Sequence, residues 1–232
     1  MELLIDIGNT RTKLKGLERT VLASDASVTI DEIAIAITEA MQGKTPSAVI
    51  ISSVVPEVTP IFQNYCENNY DIEVFTISPG HSRIQVPSQT GADIICCLNA
   101  VNEEAVIIML GTATVFTYVS DEQQVGVSIA PGVLTGMRSM IDNAALLGDF
   151  PIKKPDQVLG TNTIECLQSG MTYGHAAMID GMIERIKPSD NARIVAMGGF
   201  AEIIIPLCKY EIEINQNLIY EGMLSIYQNR NQ

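Results

Sequence analysis

Leu4-Ile5-Asp6-Ile7-Gly8-Asn9-Thr10-Arg11-Thr12-Lys13 is a short apolar run broken by glycine and polar turn residues, after which apolar and basic residues alternate. That is the pattern of strand, tight turn, strand. It returns 103 positions later: Gly111 takes the place of Gly8, and Ile107-Ile108-Met109-Leu110-Gly111-Thr112-Ala113 lies over residues 4–10. Two halves with the same opening point to an internal duplication. A chain of 232 residues is awkward for one domain and comfortable for two small ones. The expected lobes are residues 1–103 and 104–232, with a cleft between them.

Outward from the first turn, strand and helix signals alternate. Residues 11–17 read as a second strand, and Thr29 with Glu32 is a capping signature for a helix carrying Ile33, Ile37 and Met41 and ending at Gly43. Residues 48–55 read as a buried strand, 56–69 as a helix, 73–77 as a strand and 91–102 as a helix. The second half offers strands over 105–110, 115–120, 125–130 and 191–196. Helices are expected over 133–147, from Ala201, and over 217–228. Such alternation implies an α/β fold with mixed, mainly parallel sheets flanked by helices.

Composition excludes several function classes. Fourteen basic against 27 acidic residues give a net charge of −13, which offers no long-range attraction to a nucleic-acid backbone. A hydrophobic content of 47% can build a core, yet no apolar run approaches the roughly 20 residues a membrane helix needs. Met1 leads straight into a strand-like run with Glu2 and Asp6, unlike a signal peptide, so the expectation is cytoplasmic. Cys66, Cys96, Cys97, Cys166 and Cys208 have no metal-ligand spacing and read as free, mostly buried thiols.

Gly43-Lys44-Thr45 lacks the earlier glycine of a P-loop, since Thr38 stands there, and a helix precedes it where a strand is needed. Asp6 through Lys13 is richer. An acid at a strand end can hold a hydrated Mg²⁺, Gly8 and the following amides can wrap a phosphate, and Lys13 adds a positive charge for a transferring phosphoryl group. The same residues also suit a plain β-hairpin turn. Asp93 likewise reads either as a site carboxylate or as an acid favoured at a helix N-terminus.

Taken in order, the motifs resemble one family. Asp6-x-Gly8-Asn9-Thr10-x-x-Lys13, Pro87-x-x-x-Gly91-Ala92-Asp93, Gly111-Thr112-Ala113-Thr114, Ile129-Ala130-Pro131-Gly132, Gly160-x-x-Thr163 with Ser169-Gly170, Gly198-Gly199 and Leu218-x-x-Glu221-Gly222 together look like a type III pantothenate kinase. The resemblance implies two duplicated ribonuclease-H-like lobes of the actin-like kinase superfamily. It implies ATP-dependent phosphorylation of pantothenate to 4′-phosphopantothenate in coenzyme A synthesis, with ATP, Mg²⁺ and a monovalent cation (K⁺ or NH₄⁺). By the same resemblance Asp6, Ile7, Gly8, Asn9, Thr10, Arg11, Thr12 and Lys13, with Gly111 and Thr112, line the nucleotide, and Asp6 lies near Mg²⁺. Gly91, Ala92, Asp93, Ile94 and Thr163 fall at the pantothenate positions. Asp93 is then the catalytic proton acceptor, and Thr163 comes from the neighbouring subunit of a homodimer. No nucleic-acid or membrane partner is implied.

The chain departs from the family pattern where charge matters. Ile94 stands where the family has arginine, Met109 where it has the acid of the monovalent-cation site, Ile84 and Val86 where it has tyrosine and asparagine, and Val127 where it has glycine. Isoleucine cannot grip a carboxylate, and a thioether is a poor ligand for a hard cation. Arg83 and Arg138 are the candidates to replace the missing guanidinium. The alternative reading is a non-catalytic or altered-substrate paralogue on the same fold.

Overall fold

The chain is described from a computed structural model covering residues 1–24, 27–143, 148–186 and 188–230. It divides into two units by contact: residues 1–102 with 217–232, and residues 103–216. In the first unit β1 (Glu2–Ile7), β2 (Arg11–Lys15), β3 (Arg19–Ala23), β4 (Ala48–Ser53) and β5 (Glu73–Thr76) form one sheet in the order β3-β2-β1-β4-β5. The β1–β2 and β2–β3 pairs are antiparallel, β1–β4 and β4–β5 parallel. In the second unit β6 (Ala105–Leu110), β7 (Ala113–Ser120), β8 (Gln123–Pro131), β9 (Arg193–Met197) and β10 (Glu213–Ile214) form a sheet in the order β8-β7-β6-β9-β10. Pairing directions repeat strand for strand. The duplication read from the glycine turns is therefore a duplication of sheet topology.

Period-2 alternation explains how each sheet is covered. In the first unit Leu3, Ile5, Ile7, Leu14, Val49 and Ile51 point to one face and join a core with Ile33, Ile37 and Met41 of α1 (Ile30–Met41) and Phe62 of α2 (Thr59–Asn69). The Thr29–Glu32 capping box fixes the start of α1 as the sequence indicates. In the second unit Val106, Ile108, Leu110 and Phe116 pack with Ala176, Ile179 and Ile183 of α5 (Thr163–Ile186) and with Ala201 and Ile204 of α6 (Ala201–Ile204).

Some elements differ from the expectation. Strand β3 and the 24-residue α5 are additional, as is the two-residue β10. The second helix starts at Thr59, because residues 56–58 form a turn after Pro56. The helix expected over 133–147 is α4 (Val133–Asp142), and residues 144–147 lie outside the described residues. The terminal helix α7 (Leu218–Asn229) belongs to the first unit, although the expected lobe boundary placed it with the second. It packs on α3 (Ala92–Asn99) and β4, where Leu218, Tyr220, Met223 and Ile226 are buried. All five cysteines are free thiols; Cys66, Cys96 and Cys97 are buried and Cys166 is exposed. Among the described residues no helix is long and apolar enough to cross a membrane.

Candidate active site

The face of the first sheet opposite α1 carries a polar row. Across β2, β1 and β4 the register aligns Lys13, Asp6 and Ser52. Aligned residues on neighbouring strands share a face, so the three side chains project together. Lys13 Nζ lies 3.5 Å from Asp6 Oδ2. Burial pushes the Asp6 carboxyl up, Lys13 pulls it down and the Asp93 carboxylate adds to the rise, which together leave it at about 6. The loop between β1 and β2 closes with Gly8 N–H donating to the Arg11 carbonyl at 3.2 Å, leaving Asn9, Thr10 and Arg11 exposed. Ile7 and Thr12 present their side chains to the opposite face: Ile7 sits in the core, and Thr12 shares a 2.7 Å hydrogen bond with Ser24 Oγ.

Asp93 stands in the first turn of α3, whose N-cap is Gly91. Its Oδ1 accepts the Ile94 N–H at 2.8 Å, so the carboxylate folds back over the helix start. A Cβ on Gly91 would meet that oxygen at 2.6 Å, which is a physical reason for glycine there. Burial raises the Asp93 carboxyl, while the Ile94 amide and Lys13 oppose the rise. Lys13, with Arg19 adding a weaker pull on Asp6, thus faces one buried and one half-buried carboxylate, an arrangement in which burial outweighs the positive charge at Asp6. Ile94 is buried, packed as a hydrophobic side chain and offering no charge. Arg83 is committed at the other end of α3: its guanidinium donates to the Val101 carbonyl and, at 3.0 Å, to Asn102 Oδ1. Arg138 is exposed on α4 of the second unit.

The sequence reading did not single out Ser52 within the row, nor Tyr220 and Lys15, which border it. Ser52 is fully buried, its Oγ makes no hydrogen bond of normal geometry among the described residues, and the Cys96 thiol is a neighbour. Tyr220 from α7 is also buried; burial drives its phenol up to about 12, the Asp6 charge adds to the rise, and Arg19 opposes it. Lys15 Nζ stands 5.1 Å over the Tyr220 ring and donates to Asn217 Oδ1. The available signal was a serine pair ending the otherwise apolar strand Ala48–Ser53.

In the second unit the equivalent turn is one residue shorter, closing from Gly111 N–H to the Ala113 carbonyl at 3.0 Å. The Thr112 carbonyl accepts Gly132 N–H at 3.1 Å and Thr135 Oγ–H at 2.6 Å. Gly132 runs so close to Gly111 and Thr112 that a Cβ would overlap their carbonyls. Gly198 has φ of +115° and passes against the Leu110 backbone, and both its backbone groups bond the Gln216 amide at 3.1 Å. The row equivalent to Lys13–Asp6–Ser52 is Val115–Met109–Met197, apolar throughout. The fold is duplicated and the charge is not. Thr163 opens α5 and is exposed, beside Asn162, whose Oδ1 accepts the Glu165 N–H at 3.0 Å.

Comparison with known proteins places this geometry. The sequence model of the family described as type III pantothenate kinase matches residues 2–185. A type III pantothenate kinase of Acholeplasma laidlawii is 32% identical over 243 residues, covering 98% of each chain. Among solved structures, a Campylobacter jejuni protein ascribed to the Baf family of transcriptional activators superposes with a TM-score of 0.66 at 18% identity, covering 99% of this chain and 100% of that one. The activator of 2-hydroxyisocaproyl-CoA dehydratase from Clostridium difficile, with bound ADPNP, gives 0.57 at 12%, covering 99% and 96%. At these identities the two structures speak for the fold alone, the two-lobed actin-like kinase fold. The polar row, the glycine turn and the acid of α3 occur on that fold in a chain matched over nearly its whole length, and the chain belongs to the type III pantothenate kinase family.

Proposed function

We propose that this chain transfers the γ-phosphoryl group of ATP to the primary hydroxyl of pantothenate, giving ADP and 4′-phosphopantothenate, the first step of coenzyme A synthesis. The observation that carries this reading is Asp93: a half-buried carboxylate at the start of α3, electrostatically coupled to the Asp6–Lys13 pair. A carboxyl raised by burial above its ordinary value is a stronger base than a solvated one, suited to orient a hydroxyl and take its proton as the phosphoryl group leaves ATP. The exposed turn after Gly8 offers amides to phosphate oxygens, and Lys13 neutralises charge that develops on them. Gly111 and Thr112 enter as nucleotide contacts, and Gly91, Ala92 and Ile94 as pantothenate contacts, on the strength of their motifs. Thr163, exposed at the head of α5, is the residue a partner subunit would contribute in a homodimer.

A divalent cation fits the donor set. Asp6 is a buried oxygen ligand short of positive charge, with an orphaned hydroxyl at Ser52 in the next strand. Mg²⁺ is commonly held by one or two carboxylates plus substrate phosphates, and bound here it would supply charge neutralisation across the transferred phosphate. A monovalent cation is left out of the proposal, since Met109 offers it only a thioether.

A coupled ADP-release assay with pantothenate, Mg²⁺ and ATP tests the reading, run in potassium and in sodium buffers. The expected result is turnover that Asp93→Asn lowers about 10²- to 10⁴-fold, the usual weight of a general base. Potassium should change the rate little. Wild-type turnover no higher than the Asp93→Asn control would overturn the enzyme reading. The buried, uncharged Ile94 favours a second reading, an altered or lost acceptor, which would show as nucleotide binding with turnover only on a less anionic acceptor or on none.

A further inference from the structure

Ser52 is the unexplained member of the polar row. It lies at 0% exposure in register with Asp6, on the face that carries Asp6 and Lys13. Its hydroxyl lacks a hydrogen bond of normal geometry, although buried hydroxyls almost always have one. The fold does not demand a polar group there. In the second unit the same row position is Met197, and the equivalent sheet forms with a thioether in place. Asp6, for its part, has Lys13 at 3.5 Å as its ion pair among the described residues, while a carboxylate has about four lone-pair directions to fill. An orphaned hydroxyl one strand away from an under-neutralised carboxylate leaves both groups waiting for the same partner.

We infer that Ser52 is a positioning residue for the divalent cation: its hydroxyl hydrogen-bonds the Asp6 carboxylate or a water of the cation's hydration shell, and so fixes the orientation in which Asp6 holds the metal. This rests on the proposed kinase reading, in which Asp6 faces the cation. Outer-shell groups of this kind orient metal-binding carboxylates, and their removal commonly weakens metal affinity 10- to 100-fold. The neighbouring Cys96 thiol cannot substitute, because burial holds it protonated and it is a weak donor.

The test is Mn²⁺ binding to the full-length protein with ADP, followed by electron paramagnetic resonance, in wild type, Asp6→Asn, Ser52→Ala and Ser52→Thr. ADP binding in EDTA and the thermal melt are measured alongside. The expected pattern is a loss of Mn²⁺ affinity of about 10-fold or more in Ser52→Ala. Asp6→Asn should lose at least as much, and Ser52→Thr should stay near wild type because it restores the hydroxyl. ADP binding without metal should be unchanged in Ser52→Ala. Wild-type Mn²⁺ affinity in Ser52→Ala, with affinity lost in Asp6→Asn, overturns this role and leaves the kinase reading standing. Unchanged affinity in both variants removes Asp6 from the metal and overturns both. Equal loss in Ser52→Ala and Ser52→Thr, with lowered melts, assigns the effect to packing and also overturns the role.

Discussion

At the scale of the residue, the site works against the fold. Asp6 is held at about 6 against an ordinary 3.8, because burial costs the carboxylate more than Lys13 returns. The folded chain therefore binds more protons than the unfolded one between those values. By linkage, the contribution of Asp6 to stability is fully present below about pH 4, is lost as the pH rises through about 6, and stays lost above it. Asp6→Asn should remove that burden and stabilise the protein by about 1–3 kcal/mol at pH 8, since a tenfold change in proton affinity is worth about 1.4 kcal/mol. The gain should vanish near pH 4, while kinase activity is lost at every pH. Urea unfolding of the two proteins at pH 4 and pH 8 checks this, and an Asp6→Asn variant less stable than wild type at pH 8 would refute it. The sequence named Asp6, Lys13 and Asp93 because charged residues at strand and helix ends are visible as text. It passed over Ser52 because an uncharged serine inside the strand expected over residues 48–55 carries no mark of its own, and only the register across β1 and β4 puts it beside Asp6.

At the scale of the element, what could be read depended on where an element buries its surface. β1 and β6 were legible to the residue, since both are mainly apolar runs followed by glycine, β1 broken only by Glu2 and Asp6. α5 was not, although it is the longest described helix. Its buried stripe is Gln168, Ser169, Thr172, Ala176, Ile179, Asp180 and Ile183, helical in spacing but small or polar in most of its members, and Gly170, Gly174 and Gly181 interrupt it. A search for large apolar side chains at period 3.6 has little to find there. β3 alternates between exposed and half-buried positions and so resembled a loop. Glycine also decides how two helices meet. Gly222 of α7 lies against the Cys96 backbone of α3, and a Cβ there would overlap the Cys96 carbonyl. Because the obstacle is backbone, a helix must move. Gly222→Ala should therefore destabilise the protein by about 3 kcal/mol or more, at the upper end of overpacking costs. It should also displace the start of α3 enough to lower kcat through Asp93. A chemical melt indistinguishable from wild type would show that α3 and α7 can part at no cost, against the close approach described.

At the scale of the whole molecule, the chain's order and its architecture disagree in one place, and a consequence can be measured. Gly8 and Gly111 disclosed two repeats, and a division at residue 103 followed naturally from their spacing. Nothing in that spacing tells which repeat the last sixteen residues join, because a terminal amphipathic helix suits either sheet. In the structure residues 217–232 complete the first unit, so residues 103–216 are inserted within it. The helix brings fully buried Leu218 and Met223 and nearly buried Ile219, Tyr220 and Ile226. Arg230 and Tyr227 also bond the Glu73 carboxylate on the edge strand β5. Burying side chains of this size is worth about 1.5–3 kcal/mol each, so five together, about 7.5–15 kcal/mol, are as large as the entire margin of a small domain, roughly 5–15 kcal/mol. A fragment of residues 1–102 should then show no cooperative thermal transition. The same fragment joined to 217–232 through a short Gly/Ser linker should regain one, since closing the loop costs little compared with the core it restores. Circular dichroism melts of the two fragments decide the matter. A cooperative melt in residues 1–102 alone would mean that α7 is an ornament of the first unit and that the division at residue 103 was the physical one.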